Sequence, residues 1–146
     1  MKVLFGASLA SLFTAGLALP TISPFTVSKF SAGATPHSSL GFVELTWSYA
    51  ARKNATQTNC SAQPGTYQVF PSVPRTFCSD PLTSFNLTRT EDGGASLELW
   101  YEQTPGSFAH AVHPIKSEEI VWSNQQSPTG TVQVYSGPQN FTVKAD

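Results

Sequence analysis

Charge and cysteine are both scarce in this chain. Asp, Glu, Lys and Arg make up 12% of its 146 residues, eight basic against nine acidic, where a soluble domain carries about a quarter. No basic cluster stands out, which disfavours nucleic acid and an anionic membrane surface as partners. Cys60 and Cys78 are the only cysteines, and neither has a second ligand or a base close by in sequence. A metal centre or a catalytic thiol therefore has little to build on. Beyond the amino terminus no segment is long and apolar enough to cross a bilayer as a helix. A G-x-S-x-G elbow, a phosphate-cradling glycine loop and helical periodicity are missing as well.

What is present begins with an address. Met1 and Lys2 precede an apolar run from Val3 to Leu17, and Gly16-Leu17-Ala18 places small residues at minus three and minus one. This is the pattern of a signal peptide cleaved after Ala18. It leaves a single domain, residues 19–146, with seven basic and nine acidic residues and a net charge of −2. Four of the five asparagines, Asn54, Asn59, Asn86 and Asn140, open an N-x-S/T acceptor, in NAT, NCS, NLT and NFT. Ser and Thr fill just under a quarter of the chain, so four sequons from five asparagines arise by chance about once in a hundred chains. A secreted, extracellular glycoprotein is expected. In an oxidising compartment Cys60 and Cys78 pair, closing a loop of about 18 residues worth on the order of 3 kcal/mol.

The hydrophobic pattern has a period of two. Val43, Leu45, Trp47 and Tyr49 alternate with Glu44, Thr46 and Ser48 within a strand from Leu40 to Ala51. Similar alternation predicts strands around Phe85 and Leu87, from Ser96 to Glu102, from Thr131 to Tyr135 and from Asn140 to Lys144. Phe108 to Ile115 and Glu119 to Asn124 read as two more. Turn clusters separate them at Glu91 to Gly94, Thr104 to Ser107, Ser127 to Gly130 and Ser136 to Pro138. Arg52 to Asn59 reads as a loop leading to Cys60. Gln63 to Pro81 carries four prolines, too many for a central strand, and is expected as a long excursion with one edge strand at Thr66 to Phe70. The fold class is all-β: a compact antiparallel barrel or sandwich, largely a meander, with one disulfide. Asn86 and Asn140 fall on the polar parity of their strands, and a slip of one residue would turn both acceptors into the core.

Few residues offer chemistry. His110 and His113 stand three apart on a strand and so project to opposite faces, which does not suit a shared metal. Glu98 and Glu102 share a face and, with Glu44, supply carboxylates for a glycosidase-like reading, against which stands a solvated acidic face. Phe42 and Trp100 lie on the solvent parity and Trp122 among polar neighbours, a possible binding surface for rings, sugars or a protein. Alternatively the excursion between the cysteines covers these rings as a second small core. No catalytic constellation, metal or cofactor is expected.

Ser39-Leu40-Gly41-Phe42, then Cys60-Ser61-Ala62, Phe77-Cys78-Ser79, Phe85 and a DGG-type turn into Leu97 to Gln103 resemble the Alt a 1-like family of small secreted fungal proteins, named for an Alternaria allergen. The similarity covers roughly residues 25 to 103. It implies a compact β-barrel, extracellular location, no assigned catalytic residues, and an effector or allergen-like role through binding a host extracellular protein or a small phenolic ligand. It also implies that Cys60 to Cys78 matches the first intrachain disulfide of the family. The namesake has a second intrachain bridge and a cysteine that joins two subunits; this chain has neither, so a monomer or a non-covalent oligomer is expected. The alternatives are a carbohydrate-active protein, either a sugar-binding module or a hydrolase using Glu98 and Glu102, and a structural wall protein.

Overall fold

A computed structural model describes residues 16, 24–52, 54, 56–124 and 130–146. The expected signal peptide and most of the Ser127 to Gly130 turn lie outside these residues. Ten strands form two antiparallel sheets. The first holds β1 (Pro24–Ala34), β2 (Gly41–Tyr49), β3 (Thr58–Ala62), β8 (Ile120–Asn124), β9 (Thr131–Tyr135) and β10 (Phe141–Lys144), in the order β3-β2-β1-β9-β8 with β10 also on β1. The second is a meander of β4 (Val73–Phe77), β5 (Thr83–Arg89), β6 (Ala95–Thr104) and β7 (Ser107–Ile115). A single 3-10 turn, Ser117–Glu119, leads into β8.

Alternation builds the interior. Phe25, Val27, Val43, Leu45 and Trp47 of the first sheet meet Phe85, Leu87, Leu97 and Leu99 of the second, all of them buried. Trp47 stacks on Phe25 with centroids 4.9 Å apart, and its Nε1 donates to Cys60 Sγ at 3.2 Å. Tyr49 reaches Tyr101 of the other sheet at 5.4 Å. The turn before β6 is held by Asp92, whose Oδ1 accepts from the Thr90 hydroxyl and, at 3.0 Å, from the Gly94 amide. Those two bonds hold its carboxyl below the usual carboxylate range.

β1 organises the first sheet by changing partners. Its register with β2 slips between Ser28 and Ser31, where Lys29 has φ 57°. This bulge bends the strand, so that Pro24 to Val27 pairs with β10 while Gly33 meets Val134 of β9. Asn140 accepts the Lys29 amide at 3.2 Å and Gln139 accepts the Phe30 amide at 3.0 Å, which fixes the bend.

The molecule is a sandwich; the closed barrel among the expectations is not formed. At one side Cys60 and Cys78 are joined and the Ser79 amide bonds Asn59 O at 2.8 Å. At the other, one bridge links Ala111 to Ala145. The first seam does not become a ladder: β3 and β4 are five residues long and Pro74 lacks the N–H a ladder needs.

Two further expectations are corrected. Thr66 to Phe70 is not a strand: Gln68 has φ 62°, Thr66 Oγ1 donates to Val69 O, and the segment folds as tight turns whose end plugs the core with Phe70. The strand of the excursion is β4. Asn59 belongs to β3 rather than to a loop, held between the Thr46 hydroxyl and Ser79.

Candidate binding surface

The three aromatic residues proposed from sequence do not meet. Phe42 lies on the outer side of β2, Trp100 on the outer side of β6 and Trp122 on the edge strand β8. Trp122 is 56% exposed, whereas Phe42 and Trp100 are half-buried.

Trp100 is the centre of a layered cluster. Cross-strand register sets Ser84, Trp100 and His110 in one row, with Leu82, Glu102 and Phe108 beside it and Asn86, Glu98 and Val112 on the other side. The His110 ring stacks on one face of the indole at 4.9 Å and 17°. The Arg75 guanidinium lies over the ring at 4.4 Å and over Phe108 at 4.8 Å, its Nε donating to Ser84 Oγ at 3.0 Å. His110 Nε2 meets Glu98 Oε2 at 3.0 Å, and Nδ1 lies 3.7 Å from Asp146. With a guanidinium and an imidazole over the indole, little of the ring is left for stacking a sugar. Arg75 belongs to the excursion between the cysteines, so for Trp100 the covered arrangement applies.

Around this stack the surface is apolar. Phe77, Leu82, Phe108 and Val112 are 71%, 43%, 42% and 41% exposed. Three of the eight large apolar residues exposed among the described residues thus lie on this sheet, and a fourth, Leu82, in the turn between β4 and β5. Asn86 borders the patch, half-buried opposite Glu98, its Oδ1 buried without a hydrogen-bond partner among the described residues.

Over β1 to β3 the opposite outer face is grooved and carries charged and polar side chains. A groove of about 220 Å³ lined by Lys29, Glu44, Thr46 and Asn59 runs on into one of about 360 Å³ lined by Phe42, Glu44 and Gln63. Asn59 is exposed here, and exposed Asn140 holds the Lys29 amide beside it. Asn54 is exposed in the turn after β2.

The carboxylates are not gathered. Glu44 stands on the first sheet, Glu98 and Glu102 on the second. The last two are four residues apart on an extended strand, about 13 Å, where a glycosidase pair spans about 5 to 9.5 Å. Glu102 Oε1 accepts the Gly106 amide at 3.1 Å and Glu98 holds His110.

The two histidines face opposite ways. His113 turns inward and stacks on Phe141 at 3.9 Å. Burial pushes its imidazole below the ordinary range, with Glu119 acting against the shift. Burial and then Glu119 push the Tyr135 hydroxyl up to about 12. No set of three or more His, Cys, Asp or Glu side chains among the described residues converges to hold a metal ion.

Nothing in the spacing of the residues marks Arg75 or His110 as a partner of Trp100. No protein-family model matches the chain, and no curated protein matches it.

Proposed function

We propose that this is a secreted, N-glycosylated binding protein, of the effector or allergen-like type that the Alt a 1-like resemblance implies, which engages an extracellular host protein through the outer side of β4 to β7. The observation that carries this reading is the apolar rim of Phe77, Leu82, Phe108 and Val112 around the Arg75, Trp100 and His110 stack. Arg and aromatic side chains held rigidly in an apolar setting are the composition of interface hot spots. The stack is pre-ordered, so little side-chain entropy is left to lose on contact. The separation of Glu98 from Glu102 and the engagement of each with its own partner speak for binding over glycoside hydrolysis.

The test is capture from host apoplastic fluid with three forms of the chain: unaltered, Phe108→Glu, and Glu44→Lys on the far face. A defined protein retained by the unaltered and Glu44→Lys forms and lost by Phe108→Glu supports the reading. Equal capture by all three, or release of reducing sugar from wall glycans by the unaltered chain alone, would sink it.

A further inference from the structure

We propose that β8 pairs with β8 of a second copy of this chain, antiparallel about a two-fold axis at Trp122, so that the first sheet runs on through two molecules.

Among the described residues β8 is the outer strand of its sheet, packed on β9 and the 3-10 turn. Its sequence, IVWSN, has no charge and no proline, two of the devices by which edge strands are protected. The other edges are occupied. β3 is bonded to Ser79 and tied by the disulfide; β4 carries Pro74 and a bulge. β7 carries Pro114, and its His110 carbonyl takes the Asp146 amide at 2.7 Å. On β8 the adjacent residues Val121 and Trp122 project to opposite faces and are 37% and 56% exposed.

The hydrogen-bond register says what fits. The Ser136 amide bonds Glu119 O at 2.7 Å. Because antiparallel pairs alternate, the backbones of Val121 and Ser123 then turn toward β9, and those of Ile120, Trp122 and Asn124 turn outward. The Ile120 amide is already bonded to Ser117 O. The outward set is therefore the Ile120 carbonyl and both groups of Trp122 and Asn124. A two-fold at Trp122 uses this set against itself: the two Trp122 residues exchange N–H to O bonds, and each Asn124 amide meets the other copy's Ile120 carbonyl. The two indoles lie side by side. Glu118 and Glu119 fall at opposite ends of the seam rather than facing their counterparts, so no like-charge contact opposes it. None of the four sequons lies on β8.

Sedimentation of the full chain, purified from a secreting eukaryotic host, should show a monomer to dimer equilibrium in the micromolar range. Trp122→Pro removes an amide that points away from β9, so the monomer should keep its melting temperature while dimer dissociation rises at least about tenfold. Cysteine placement gives a second readout. Trp122→Cys should cross-link to its own copy on oxidation, because residues of a hydrogen-bonded pair lie about 5.5 Å apart. Val121→Cys, opposite Ser123 of the other copy, should not. A chain that stays monomeric throughout, a dimer indifferent to Trp122→Pro, or equal cross-linking at both positions would overturn the proposal.

Discussion

The two outer faces of the sandwich rest on one interior and carry opposite chemistry. Over β1 to β3 of the first sheet Lys29, Glu44, Thr46 and Asn59 line a groove, and two sequon asparagines, Asn59 and Asn140, stand there exposed. On the second, Arg75 and His110 clasp Trp100 within an apolar rim, and the one sequon, Asn86, is half-buried at its border. Since both faces obey the same alternation, the inward residues specify the fold and leave the outward ones free to differ. A polar face needs nothing further in water. A face that exposes Phe77, Phe108 and Val112 leaves apolar surface in water, which marks a place for a partner.

The largest effect should come from removing what the faces share. Phe85→Ala empties a fully buried site between the sheets and should cost about 3–5 kcal/mol in urea unfolding, taking both faces down in one transition. Separate transitions for the two sheets would show that they do not form one cooperative core. Next comes the seam. Cys60→Ser with Cys78→Ser opens the loop between β3 and the end of β4, and the denaturation midpoint should fall by the equivalent of about 3 kcal/mol. A change smaller than about 1 kcal/mol would mean the Thr58, Ser79 and Thr83 hydroxyl bonds hold that seam unaided.

A smaller effect separates the faces. Trp100→Ala removes a ring stacked on His110 and held under Arg75, at about 1–2 kcal/mol. Glu44→Ala on the polar face should stay within about 0.5 kcal/mol. Equal costs would erase the distinction between a built cluster and a solvated surface. The smallest is pH-dependent. The His113 pKa is lowered in the folded protein by burial against Phe141, with Glu119 opposing. The unfolded chain therefore takes up the proton first. This contribution is fully present above about pH 6.5 and is lost as pH falls through that value toward the lowered folded pKa. His113→Gln should flatten that limb of a stability-against-pH curve. His110→Gln leaves His113 in place, so the limb should persist.

How far the sequence reached follows from particular strands. β2, β5 and β6 alternate, so parity alone located their inner faces; on β9 it misled, because Tyr135 packs against buried Phe30 while Val134 stands beside Gly33, on the parity opposite Ala32 and Ala34. β1 escaped because its bulge breaks the pattern: Phe25 and Val27 are buried on one parity, Phe30, Ala32 and Ala34 on the other. β3 escaped because an edge strand of Thr, Asn and Ser resembles a loop. The Trp100 cluster was half legible. Its outward parity could be read, its partners could not. The Pro105-Gly106 turn alone pairs Thr104 with Ser107 and would carry Trp100 opposite Ala111. A register shift between Glu102 and Thr104 moves the strand by one and sets it opposite His110. Arg75 arrives across a second shift, in β4.

The bend at Lys29 also sets an order of events. Because it turns the first half of β1 onto β10, Pro24 is the direct neighbour of Lys144, and the central strand of the larger sheet waits for residues about 120 positions further along the chain. Such late closure of a long loop is slow. If the proposed glycosylation takes place during synthesis, Asn54, Asn59 and Asn86 would all meet the transferring enzyme while that sheet is still incomplete, and even the half-buried Asn86 would be presented on unfolded chain.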